Sequence, residues 1–530
     1  MREKPRLRTQ CLGYGDCRAT HTKPTNSKPK VIHMNQTKKW ILALCMAMLC
    51  GQAANAAEMT VTNVAKVGAD GVQFDVSWSN SWRASWSEAD TKLSNWDAAW
   101  IFVKVRRKGD AAWSHATLSP ESADHLAPKG ARIDVGMTGK KATGVFLYRS
   151  DDGQGTFVNK GVKLKCLDKI DEVELFVHAI EMVYVPQGAF SVGTNGKGGG
   201  SFTDGAWKKG EAIIPFKISS EAELKIAPEP GCLYGDGGIG GAHGIGPVGK
   251  LTAEFPKGYG AIYCMKYGTN QGQYAAFLDQ LTPAQAAERF LTFPAKRSST
   301  GHTIKKTSAG YVASKPGRAC NWVCWDDIAA YIDWAGLRPM SELEYEKACR
   351  GPLKPVTDEY AWGSAELPCP HEECKKTQKI CAELDLPWIL DPMVTPPAPM
   401  PQALCGAEGR VKSGATYWGI AAMSGHLRER AVTVGDKAGA GRVFTGRCGD
   451  GALTDDALAN VPGWPGPMAS WEEGQRYPTC GVGFRGGPWY TDKARLRVSD
   501  RYMSSVMRTG RDASYGFRGV RQAPEGNSEK

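Results

Sequence analysis

One four-residue step occurs twice near the end of the chain, and it restricts what lies between the copies. Gly483-Phe484-Arg485-Gly486 opens GFRGGPWYTD, and Gly516-Phe517-Arg518-Gly519 opens GFRGVR. A glycine on either side of an aromatic-Arg pair marks a tight turn, because glycine reaches backbone angles closed to other residues. Two such turns hold both ends of the intervening segment on one scaffold. Arg485 and Arg518 are expected to brace those turns through backbone carbonyls or buried acids. From Gly487 to Tyr515 the segment carries six Arg/Lys and three Asp, with Trp489, Tyr490, Tyr502 and Tyr515 among them. Aromatics with Arg and short polar residues are the composition of contact surfaces, since they offer wide contact at low entropic cost. The candidate ligand-binding residues are therefore Trp489, Tyr490, Thr491, Asp492, Arg495, Arg497, Tyr502 and Ser505. The alternative makes Met503, Ser504, Ser505 and Met507 half-buried strand positions. The chain has sixteen cysteines, and none falls in this segment.

With 530 residues the chain exceeds what one core usually organises, so at least two domains are expected. Its net charge of +11 is misleading. Residues 1–40 contain ten Lys/Arg against two Asp/Glu, and 41–57 contain no charge, which leaves only +3 from Glu58 onward. A nucleic-acid partner loses its main support. Lys38 and Lys39, the apolar run WILALCMAMLCG and the small-residue exit Ala54-Asn55-Ala56 read as a secretory signal peptide. Met34 would start a signal of ordinary length, making residues 1–33 a mis-called upstream start. The expected location is secreted, periplasmic or at the cell surface, with no transmembrane anchor after signal cleavage. Four cysteines go with the leader, and the remaining twelve, an even number in an exported chain, argue for disulfides rather than catalytic thiols.

From residue 57 to 178 the runs VTNVAKV, VQFDVSWS, AAWIFVKVRRK, GVFLYRS and EVELFVHAI are short, β-branched or aromatic, and separated by Gly- and Asp-rich turns. They predict a β-sandwich-like domain. The pattern changes at Glu181. EMVYVPQGAFSVG is a strand entering a Gly-rich turn, and NQGQYAAFLDQL, TPAQAAERFL and WDDIAAYIDWAG follow with helical spacing. SELEYEKACRG is the clearest helix: Ser341 with Glu344 forms a capping box and Gly351 stands at the stop. Short Gly-flanked strands and long loops complete a second domain over 179–523, with a disordered tail at 524–530.

In order, MVYVPQGAFSVG, NQGQYAAFL, WDDIAAYIDWAGLRPMSELEYEKACRG, EYAWGS, GIAAMSGHLRER, GFRGG and GFRGVR resemble the formylglycine-generating enzyme family, also called sulfatase-modifying factors. The resemblance covers about two-thirds of the chain. It implies an α+β fold, a variant of the C-type lectin fold, preceded here by the sandwich-like region. It also implies an oxidase with two copper-binding cysteines a few residues after the first Gly-Gly. The corresponding positions here are Thr491 and Leu496, which cannot ligate Cu(I), so copper is not expected. The family's iron-dependent branch holds its metal with histidines of a separate helical domain that this chain lacks. His115, His125, His178, His243, His302, His371 and His426 show no H-x3-H spacing. The resemblance further implies structural calcium in long loops, one ion at the SGHLRER stretch. There Glu429 keeps the acid while His426 replaces the usual Asn. Asp450, Asp455, Asp456 and Asn460 in GDGALTDDALAN form a second oxygen cluster, with an acidic surface turn as the alternative.

Cys369, His371, Cys374 and Cys381 superficially resemble a zinc knuckle, but a disulfide-pinned loop is the preferred reading. Cys320 and Cys324 are read as buried thiols or members of a disulfide elsewhere. The segment between the two Gly-Phe-Arg steps also looks like the diversified ligand face of retroelement variable proteins in this superfamily. The leading expectation is an exported, non-catalytic binding or scaffold protein with a protein or glycan ligand. The alternatives are a formylglycine-generating-type oxidase or another family enzyme with a relocated metal site near Cys448 and Cys480, and a calcium-stabilised structural protein.

Overall fold

The computed structural model describes residues 59–88, 91–196, 199–235, 237, 244–293, 301–367, 399–435, 439–466, 481–506 and 510–524. The leader, the 524–530 tail beyond Pro524, the Cys369–Cys381 loop, His243, Met507 and Cys480 lie outside these residues.

The fold is α+β. Eight strands come first: β1 (Thr60–Val67), β2 (Gly71–Glu88), β3 (Thr91–Arg107), β4 (Ser114–His115), β5 (Ala131–Thr138), β6 (Lys141–Arg149), β7 (Gly153–Lys165) and β8 (Val173–Val185). They belong to one ten-stranded sheet that continues from β8 into the strand Ile262–Met265 and then into Val520–Gln522, almost at the C-terminus. β8 runs through residue 178, where sequence reading placed a domain boundary. Its first part pairs with β3 and its last four residues pair with Ile262–Met265. The β-rich region and the helix-bearing region thus share a sheet.

β3 shows why. A strand presents alternate residues to opposite faces. Ala99, Ile101 and Val103 enter one core with Val72, Phe74 and Val76 of β2 and Val162 and Leu164 of β7. Ala98, Trp100 and Phe102 enter another core with Tyr263, Phe277, Trp334 and Phe517. The run AAWIFV is continuously apolar because both faces are buried. The junction is sealed by rings. Trp96 stacks on Tyr184 at 3.9 Å and donates from Nε1 to the Tyr263 hydroxyl, and Phe146 stacks on Tyr263 at 3.8 Å. Trp100 Nε1 donates to the Ala335 carbonyl across the same boundary.

Helices occur at Gln271–Asp279, Pro283–Arg289, Trp325–Trp334, Glu342–Arg350 and Gln402–Ser413. The capping box on Glu342–Arg350 forms as expected: Ser341 Oγ accepts from Glu344 N, and the Glu344 carboxylate accepts from Ser341 N. Gly351 ends the helix at φ 67°. Every residue of this helix is buried, although five of its nine residues are charged.

The expected disulfides are not found among the described residues. Cys166, Cys232, Cys264, Cys320, Cys324, Cys349, Cys405 and Cys448 are free thiols, all but Cys405 buried. Each packs as a small apolar side chain. Burial pushes the Cys264 and Cys324 thiols up to about 12, which keeps them protonated and unreactive at neutral pH.

Candidate functional site

The two Gly-Phe-Arg steps flank a single strand. Arg428–Val432 is the middle of a three-stranded sheet, antiparallel to Val482–Arg485 and parallel to Tyr515–Gly516. Glu429 faces Arg485 on one side and Gly516 on the other. Glycine is required where the segment folds back. A Cβ on Gly483 would lie 1.7 Å from the Ser504 carbonyl oxygen, and Gly487 has φ +60° with the Arg495 carbonyl 2.7 Å from its Cβ position.

Arg485 and Arg518 brace these turns as the sequence suggested. Arg485 donates to Glu342 at 2.9 Å, to Glu346 at 2.7 Å and to the Val498 carbonyl at 2.6 Å. Arg501, also buried, donates from Nε and Nη2 to the two oxygens of Glu342 at 2.9 and 3.0 Å. Arg350 joins Glu346 to Glu359. Burial opposes ionisation of Glu342, but Arg501 and then Arg485 hold its carboxyl below the usual range. Burial likewise opposes the charge on Arg485, and Glu346 and Glu342 outweigh it, so the guanidinium stays protonated. Arg518 donates to both oxygens of Glu429 and to the carbonyls of Met265 and Ala421.

Above this buried lattice lies an open cleft of about 330 Å³. It is lined by Phe484, Gly486, Gly487 and Tyr515 of the two turns, by Tyr490, Thr491, Arg495, Asp500 and Tyr502 of the segment between them, and by Arg428, Asp512 and Ser514. No cysteine is among the described residues that line it. Arg495 lies over the Tyr502 ring at 3.4 Å and pairs with Asp500 at 3.2 Å. Burial raises the Asp500 carboxyl, and Arg495 opposes the shift.

Of the eight expected ligand residues, Tyr490, Thr491, Arg495 and Tyr502 line the cleft. The other four have structural positions. Trp489 packs edge-to-face on Tyr490, and its backbone N–H donates to the His426 carbonyl. Asp492 caps the short 3-10 turn Lys493–Leu496 by accepting from Ala494 N. Arg497 pairs with Asp358 at 3.0 Å, and Ser505 is buried. Leu496 is buried too, and its carbonyl accepts from Ser424 Oγ.

The expected calcium ligands are not brought together. Both Glu429 oxygens are taken by Arg518. In the other loop Asp333 is the organiser: its two oxygens accept from the backbone N–H groups of Asp450 and Asn460. Asp450 accepts from Ala452 N, while Asp455 and Asp456 are exposed. Among the described residues no three His, Cys, Asp or Glu side chains converge as a metal site.

Sequence reading missed Arg428, Phe484, Asp500, Asp512 and Ser514 as cleft residues. Arg428 had a readable signal. LRERAV alternates, so Arg428 and Arg430 share the face opposite Glu429. That face proves to be the one covered by Phe484 and Tyr515. The other residues come close only through folding.

Among the described residues no helix is long and apolar enough to cross a membrane. No curated protein matches this sequence. Residues 259–523, half of the chain, match the family model for the sulfatase-modifying factor enzyme 1-like domain. The match begins just before the strand Ile262–Met265 and ends just after its partner Val520–Gln522, so it encloses the cleft and the arginine–glutamate lattice beneath it. The chain belongs to the sulfatase-modifying factor family.

Proposed function

We propose that this chain is an exported, non-catalytic member of its family that binds a ligand in the cleft between its two Gly-Phe-Arg turns. The observation that carries this reading is the lining of the cleft. Aromatic rings, arginines and hydroxyls line it, and among the described residues no sulfur nucleophile or thiolate ligand does. Thr491 occupies one position where the family resemblance expects a copper-binding thiol. Leu496, at the other, is buried under the segment. Cu(I) oxidation chemistry needs soft sulfur ligands, and neither side chain supplies one. A rigid base of buried ion pairs beneath the segment suits binding, because a preorganised surface loses less entropy on association. The leader with its small-residue exit supports export.

The test joins two measurements on the purified chain. Cu(I) titration against a competing chelator is expected to show no tight site, and a cysteine-containing peptide is expected to stay unmodified by mass spectrometry. Tight Cu(I) binding with conversion of that cysteine to formylglycine would overturn the reading.

A further inference from the structure

We infer that the cleft is built to take a peptide segment bearing a carboxylate, which seats on Arg428. This rests on the binding-cleft reading above and specifies the ligand's chemistry.

Among the described residues three cations line the cleft: Arg428, Arg485 and Arg495. Arg485 is committed to Glu342 and Glu346, and Arg495 to Asp500. Arg428 has no such commitment. Its guanidinium lies 5.4 Å from the Phe484 ring centre and 5.8 Å from that of Tyr515. Its Nη2 reaches only the Tyr490 hydroxyl, at 3.5 Å, and its buried Nε has no acceptor. Arg428 is therefore the cleft cation without a carboxylate among the described residues. A guanidinium held against rings keeps its fork of donors while its hydration is restricted, and a planar carboxylate is the matching anion.

The surroundings narrow the choice. Tyr490 is 60% exposed, and its hydroxyl stands beside Arg428, accepting from Nη2 and donating to Ser514 Oγ at 3.3 Å. The guanidinium of Arg428 matches a singly charged carboxylate, while Asp512, a lining acid, accepts from Ser514 N and Oγ through Oδ1. A dianionic phosphate would call for a second free cation, and the described lining residues include none. Sugar rings need bare aromatic faces. Here Arg428 lies against Phe484 and Tyr515, and Arg495 covers Tyr502, which leaves Tyr490 as the described lining ring with no cation over it. The volume sits at the small end of ligand sites, roughly 300–1,000 Å³, so only a short segment enters.

The experiment uses the full purified chain and an array of hexapeptides. Each peptide is made in an acidic form and in an amide-matched form with Asn, Gln and an amidated C-terminus. Oligosaccharides of hexuronic acids form a separate arm. Wild type is expected to prefer the acidic peptides by about tenfold or more. R428Q should equalise the two forms, R428K should keep part of the preference, and added NaCl should erode it in wild type. Melting of R428Q reports folding. If that variant is unfolded, R428K and the salt series decide. Equal retention of acidic and amide peptides by wild type, a preference that survives R428Q, retention of uronates alone, or retention of no peptide would each overturn the inference. Tyr502→Ala separates the two levels. If it weakens all peptides equally and wild type shows no acidic preference, the cleft stands and the carboxylate fails. If neither Tyr502→Ala nor R428Q changes the binding of retained peptides, the cleft reading fails as well.

Discussion

Arg485 and Arg428 come from adjacent strands, yet they have opposite situations. Arg485 is fully buried with two glutamates and a carbonyl on its donors. Arg428 is half-buried against two rings, with one hydroxyl at the limit of hydrogen-bonding distance. The guanidinium of Arg485 is neutralised by internal carboxylates, whereas Arg428 has no carboxylate among the described residues. A buried guanidinium must be paired and hydrogen-bonded, because stripping water from a lone charge costs far more than packing returns. A guanidinium in an open cleft keeps enough water to wait for a ligand.

The sharpest way to break this comparison is to remove the carboxylate that two buried arginines share. Glu342→Ala leaves Arg501 in the interior without its carboxylate and Arg485 with Glu346 alone, and is expected to cost about 3–5 kcal/mol. Chemical denaturation of wild type and variant checks this. A loss below about 1 kcal/mol would mean that water reaches the lattice and that it is not a sealed base.

Lys347 sharpens the comparison from within the same helix. It is buried but has carbonyls for partners, those of Tyr259 and Gly260 at 3.1 Å each. Burial lowers its ammonium to about 7, against the pull of Glu221 and Glu344. Between about pH 7 and 10.5 the folded state has released this proton while the unfolded state still holds it. The lysine's contribution to stability therefore rises with pH through that window, by about 1.4 kcal/mol per unit at most. Below pH 7 both states are charged and the contribution is flat. Lys347→Met should remove that slope, so the unfolding free energy of wild type should rise relative to that of the variant from pH 7 to pH 10. A constant difference would show that the ammonium stays charged inside the fold.

The smallest effect is expected from metal removal. With both Glu429 oxygens bonded to Arg518, chelator should leave the melting temperature of the chain unchanged. A large drop would show that a calcium ion displaces the arginine in solution.

Local signals in the sequence carried a good part of this description. Ser341, Glu344 and Gly351 predicted one helix with its ends, and the β-rich texture before residue 178 predicted strands. The repeated Gly-Phe-Arg step predicted a bracketed segment on one scaffold, as well as the structural roles of Arg485 and Arg518. The candidate site was half legible. Tyr490, Thr491, Arg495 and Tyr502 line the cleft, whereas Asp492 and Arg497 spend their polar atoms within the protein. A sequence shows that an Asp or Arg is present, but not whether a neighbour has already satisfied it.

What the residues alone determined was local: caps, turns, alternation and the absence of cysteine from the last segment. Such features depend on neighbours within a few positions, so the order of amino acids specifies them. What only tertiary structure decided was the use of charge. SELEYEKACRG has the composition of an exposed helix, yet it is wholly buried because arginines from residues 338, 485 and 501 arrive to pair with its glutamates. Those partners are remote in the chain or set by the fold's register, and Coulomb pairing in a dry interior depends on distance in space.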